Sequence, residues 1–127
     1  MTTAMLIVTL ALLITKGLDC WTTLRGVTAR TETNLVASRL MRRFGVRATV
    51  WIVFALACTV IATGASLAHV HGGPGVQLGY ILVGCLISLI QFAVAHTNYT
   101  GRWNFITTRV LVYHCAVGRL IQGGGGR

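Results

Sequence analysis

Charged side chains are scarce. They make up 10% of the 127 residues, against roughly 25% in an ordinary soluble domain. A water-facing surface cannot be built from so few charges, so something other than water must solvate much of the chain. Carboxylates are scarcer still. Asp19 and Glu32 stand alone against eleven Lys and Arg, giving a net charge of +9. There is no P-loop, no G-x-S-x-G, no H-E-x-x-H and no dinucleotide fingerprint. The serines are Ser38, Ser66 and Ser88, and none has a local base to activate it. Cys20, Cys58, Cys85 and Cys115 form no C-x-x-C pair. Their spacing fits neither a zinc site nor a disulfide framework, and they read as small buried packing residues.

What the chain has instead is long apolar runs. Residues 48–68 carry no charge in twenty-one positions. About twenty apolar residues cross the hydrocarbon core of a bilayer. Trp51 near one end suits the headgroup interface. Residues 76–95 are equally uncharged, with Gly79, Gly84, Cys85 and Ser88 as small residues where another helix can approach. The run over 5–24 is less clean, because Lys16 and Asp19 interrupt it. A secretory signal peptide is the rival reading of that run. It is disfavoured because no basic residue precedes the run and no A-x-A site follows it. The expectation is an all-α integral membrane protein in one domain, with three transmembrane helices.

Orientation follows from the arginines. Arg25, Arg30, Arg39, Arg42, Arg43 and Arg47 fall between the first and second spans. Arg102, Arg109, Arg119 and Arg127 follow the third, and the loop 69–75 has no Lys or Arg. Basic loops stay in the cytoplasm. Three spans put both basic regions on one side, so the chain is expected in the plasma membrane with its N-terminus outside and its C-terminus cytoplasmic.

Two amphipathic helices are expected at the cytoplasmic interface. Residues 31–44 begin with Thr31 as N-cap and Glu32 in the first turn. Val36, Leu40 and Phe44 recur every four residues, with Ala37 and Met41 beside them and Arg39, Arg42 and Arg43 opposite. Gly45 is the expected stop. Arg39, Arg42, Arg43 and Arg47 are the candidates for anionic lipid headgroups. Residues 105–121 show a similar stripe of Ile106, Val110, Tyr113, Val117 and Leu120. A short fourth span is the alternative there. Residues 122–127 read as a flexible glycine-rich tail. No base-stacking or groove-reading pattern accompanies the positive charge, so nucleic acid is not an expected partner.

Asp19 is the residue that invites a chemical reading. Carboxylates inside membrane helices are costly and usually face a partner, a cavity or a pathway. Lys16 lies three residues before it, and Thr22 and Thr23 three and four after, on or near one helical face. The plain reading is that these groups neutralise and hydrogen-bond Asp19 and lock the helix to its neighbours. The functional reading adds Glu32, Asn34, Gln91, His96 and Asn98 at the same membrane boundary. Together they would bind a hard cation or a polar headgroup, or relay a proton. His69 and His71 alone make an incomplete metal site. A haem between the helices lacks a second axial ligand at the depth of His96. No cofactor is expected, and no metal is specified.

The pattern Asp19-x-x-Thr22-Thr23, followed by Glu32-x-Asn34, resembles a small uncharacterised family of prokaryotic membrane proteins, a domain of unknown function. Its members look like three-helix proteins with a D-x-x-[ST]-T … E-x-N-P signature. The resemblance covers roughly residues 5 to 100. This chain departs from it at Leu35, where the family usually has Pro. The family implies an architecture and a choice of site residues, and no reaction. The leading expectation for function is a non-enzymatic scaffold or accessory subunit, acting as a homo-oligomer or within a larger membrane complex. The alternative is an ion, proton or polar-ligand module built on the Asp19 cluster.

Overall fold

Three helices are long and apolar enough to cross a bilayer in the computed structural model of the chain. The model describes residues 2–26, 35–102, 104–109 and 112. Helix α1 spans Thr3–Gly26, α2 Leu35–Phe44, α3 Val46–Val70 and α4 Pro74–Thr100, and no strand occurs among the described residues. At about 1.5 Å per residue, the 24, 25 and 27 residues of α1, α3 and α4 are each longer than the roughly 30 Å of a hydrocarbon core.

The observed helices overrun the apolar runs that mark them in the sequence, because polar side chains at helix ends do not stop a helix. Backbone punctuation does. Pro74 opens α4 at its first turn, where its missing N–H is harmless. Gly101, at φ +66°, closes α4 in the left-handed conformation, and its N–H donates to the Thr97 carbonyl at 2.8 Å. His96 and Asn98 therefore belong to α4 itself and do not follow it.

The bundle runs up, down and up. Thr9 meets Tyr80, Thr15 meets Gln91 and Thr23 meets Asn98, so α1 and α4 lie parallel and in register. Cys20 and Val50 share an apolar cluster with Met41, so α3 runs antiparallel to α1. The α1–α4 pair is the most extensive contact, and α3 is the least covered of the three long helices. Val8 and Leu12 are buried against Gly84, which marks the closest approach of α1 and α4.

Helix α2 docks on the end of the bundle where α1 finishes and α3 begins. Its buried side is Ser38 and Met41, while Phe44 is exposed and Leu40 half-buried. This corrects the expected division of its surface, in which Phe44 and Leu40 lay with Met41 on one apolar side. Docking on α3 selects the Ser38–Met41 edge and leaves Phe44 open beside the arginines. The start expected at Thr31 lies outside the described residues. Beyond α4, Asn104 accepts from the Thr107 N–H at 2.8 Å and opens a helical segment over 105–109. Asn104 Nδ2 also donates to the Ala93 carbonyl at 2.7 Å, and the Thr97 and Thr107 hydroxyls lie 3.0 Å apart. The chain thus folds back along the last two turns of α4. Most of the helix expected over 105–121, and the 122–127 tail, lie outside the described residues.

The cysteines do not share one environment. Cys20 is buried, Cys58 half-buried and Cys85 exposed, which corrects the reading of all four as buried packing residues. Cys85 sits on the face of α4 that also exposes Leu82, Leu86 and Leu89. Cys115 lies outside the described residues.

Candidate functional site

A series of polar groups on α1 and α4 pairs along the seam between these two helices. Near one end the Thr9 hydroxyl and the Tyr80 hydroxyl are 2.8 Å apart, and Thr9 also donates to the Met5 carbonyl at 2.7 Å. Further along, the Thr15 hydroxyl donates to Gln91 Oε1 at 2.8 Å. In hydrocarbon an unpartnered hydroxyl or amide has no water to turn to, so such groups pair across the helix interface. Ser88 lies on the same face of α4, one turn before Gln91, and its hydroxyl is buried with no hydrogen-bond partner. Thr9, Thr15 and Tyr80 were not singled out in the sequence. The signal was partial: each is a polar side chain inside an otherwise apolar run, but Thr59, Thr63 and Ser66 of α3 fit the same description and are exposed.

Asp19 sits seven residues before the end of α1, about 10 Å along the axis. Its carboxylate meets Lys16 Nζ at 2.7 Å within the same helix, and both side chains are mostly buried. The Thr22 and Thr23 hydroxyls donate to the Asp19 main-chain carbonyl, at 3.0 and 2.8 Å. The threonines therefore satisfy the backbone of α1 and do not touch the carboxylate. Gln91 pairs with Thr15, a turn away from Asp19. Asn98 Nδ2 reaches Thr23 at 3.5 Å, which brings two of the candidate residues together at the junction of α1 and α4. His96 is exposed on α4. Glu32 and Asn34 lie outside the described residues. Among the described residues, no group of three or more His, Cys, Asp and Glu could hold a metal ion.

The two ends of the bundle differ sharply in charge. The up-down-up topology brings Arg25, α2 with Arg39, Arg42 and Arg43, Arg47 and Arg102 to one end, and Arg109 follows on the folded-back segment. The opposite end carries His69 and His71 and no Lys or Arg among the described residues. Aromatic rings gather at the arginine end. Trp21 and Tyr99 stack with centroids 6.2 Å apart and planes at 17°, and the Arg25 guanidinium lies over Trp21 at 4.1 Å. Arg43 lies over Phe44 at 5.3 Å and Arg109 over Phe105 at 5.1 Å. Arg39, Arg42, Arg43 and Arg47 are all exposed.

At the other end, the surface between α3 and α4 holds an open cleft of about 480 Å³. Its walls include Gly64, Gly72, Gly79, Leu67 and Val83, with His71 and Tyr80 as the polar members. No family model, no curated protein and no solved structure matches the chain.

Proposed function

We propose that the chain is a non-enzymatic, multi-pass membrane module that works by association, as a homo-oligomer or as an accessory subunit of a larger membrane assembly. The observation that carries this reading is the outer face of α3. It exposes Ala55, Thr59, Ala62 and Ser66 in a row, at spacings of four, three and four residues. Large side chains are exposed on all three long helices, Leu10, Ile14 and Leu18 on α1, Leu82, Leu86 and Leu89 on α4, and Ile52, Leu56 and Val60 beside the row on α3 itself. In lipid, close helix contact is driven by packing, and small residues allow it. The Thr59 hydroxyl donates to the Ala55 carbonyl at 3.0 Å, and the exposed Ser66 hydroxyl is a group that a neighbouring helix could partner.

The ion- or proton-binding alternative draws on Asp19, whose carboxylate is engaged by Lys16. We further propose the plasma membrane as the location, with the N-terminus outside, from the one-sided distribution of arginine. Kinship with the prokaryotic family is a proposal too, resting on Asp19, Thr22, Thr23, Glu32 and Asn34.

The test is the size of the assembly in lipid nanodiscs or mild detergent. Ala62→Leu, which fills the row, is expected to reduce association by about tenfold, the effect of roughly 1.4 kcal/mol. Leu10→Ala on the outer face of α1 should leave it unchanged. A wild-type protein that is monodisperse and monomeric, with no retained partner, would sink the reading.

A further inference from the structure

The structure leaves a large positive charge without an internal answer. Asp19 is the one carboxylate among the described residues, and Lys16 occupies it. The full sequence holds only one more, Glu32. The +9 net charge already counts both carboxylates, so all of it needs counter-anions from outside the molecule.

The arginines are also prepared for a particular kind of anion. Arg25, Arg43 and Arg109 each lie over an aromatic ring, Trp21, Phe44 and Phe105 respectively. The attraction of a guanidinium to a ring face uses none of its N–H donors. Those donors lie in the guanidinium plane, in a fork that matches phosphate oxygens. On α2, Arg39, Arg42 and Arg43 are exposed next to the open apolar shoulder of Phe44 and the half-buried Leu40. A helix with charge and apolar surface side by side fits the boundary between phosphates and acyl chains. A free nucleic acid would match the charge but leave that shoulder in water. The stacked Trp21 and Tyr99 are further interfacial rings at the same end.

We infer that α2 and the arginine–aromatic pairs at its end of the bundle form a docking surface selective for an anionic phospholipid leaflet over a zwitterionic one. The surface holds lipid phosphates by the guanidinium edges, and Phe44 and Leu40 enter the acyl layer beside them. This inference stands apart from self-association through α3, and either can fail without the other.

The test uses the full chain in nanodiscs of equimolar phosphatidylcholine and phosphatidylglycerol, gently extracted, with the retained lipids counted by mass spectrometry. The wild-type protein is expected to retain phosphatidylglycerol about fivefold over bulk, the effect of one arginine near an anionic surface. The variant combining Arg39→Gln, Arg42→Gln and Arg43→Gln should fall toward the bulk ratio. The matching Lys variant keeps the charge and should keep most of the enrichment. Extraction in about 1 M salt, where charges are screened within roughly 3 Å, should reduce the wild-type enrichment. That arm decides the matter if circular dichroism shows the Gln variant to be misfolded. Retention of lipids at the bulk ratio by wild type overturns the inference. Unchanged enrichment in a folded Gln variant, or in high salt, does the same. So does tight binding of a single-stranded RNA together with a bulk lipid ratio.

Discussion

Two glycines on α4, five residues apart, make a sharp test of how the bundle is packed. A Cβ added at Gly84 would run into Val8 Cγ1 and lie 3.3 Å from Leu12 Cδ1, whereas at Gly79 nothing lies within 4 Å. Val8 cannot easily yield, because a β-branched side chain in a helix has essentially one χ1 rotamer. Nor can it swing outward, since it is 6% exposed and Leu12 4%. Overpacking of this kind costs about 1–3 kcal/mol, while replacing glycine by alanine inside a helix returns up to about 1 kcal/mol. Gly84→Ala should therefore destabilise by about 1 kcal/mol, and Gly79→Ala should stabilise by up to about 1. The expected gap is about 2 kcal/mol between chemically identical changes on one helix. It is measured by unfolding in mixed micelles of sodium dodecyl sulfate and dodecylmaltoside, followed by far-ultraviolet circular dichroism. Adding Val8→Ala should relieve Gly84→Ala, giving a favourable coupling of about 1–2 kcal/mol in the double-mutant cycle. Equal stability of the two single variants, or no coupling to Val8, would refute the placement of Gly84 at the α1–α4 crossing.

The Lys16–Asp19 pair should behave as a unit. Asp19→Asn leaves a mostly buried ammonium without its counter-ion and should cost about 2 kcal/mol, while the Lys16→Met, Asp19→Leu double variant should be close to neutral; a double variant as damaged as the single one would contradict this. Orientation is read by cysteine labelling in intact cells, with the native cysteines replaced. His71→Cys should react with an impermeant maleimide from outside and Arg42→Cys only after permeabilisation, and reaction of both from the same side would break the three-span topology.

The three long helices were legible because each carries an uninterrupted apolar run or nearly so, of a length that matches bilayer thickness. Their ends were not, since composition marks where lipid-compatible residues stop and the helix continues to Gly101 regardless. The amphipathic character of α2 was legible from its four-residue spacing. Which edge docks was not, because a helix of this pattern can turn Phe44 or Met41 inward, and only the shape of α3 decides. Asp19 with Lys16 was readable from i, i+3 spacing. Thr15 and its partner Gln91 lie seventy-six residues apart, a distance no local pattern bridges. The spacing of Thr22 and Thr23 suggests companions of the Asp19 side chain, but a threonine within a helix competes first for the nearest carbonyl.

Gly45 is the single residue between α2 and α3, at φ +83°, and its amide donates to the Met41 carbonyl at 2.9 Å while its own carbonyl accepts from Thr49 at 3.1 Å. Such a joint has no slack. A side chain at this φ would be strained, so glycine sets the bend and the hydrogen bonds on both sides stiffen it. With one residue between the helices, a tilt of α2 has to be taken up at Gly45 itself or passed on to α3.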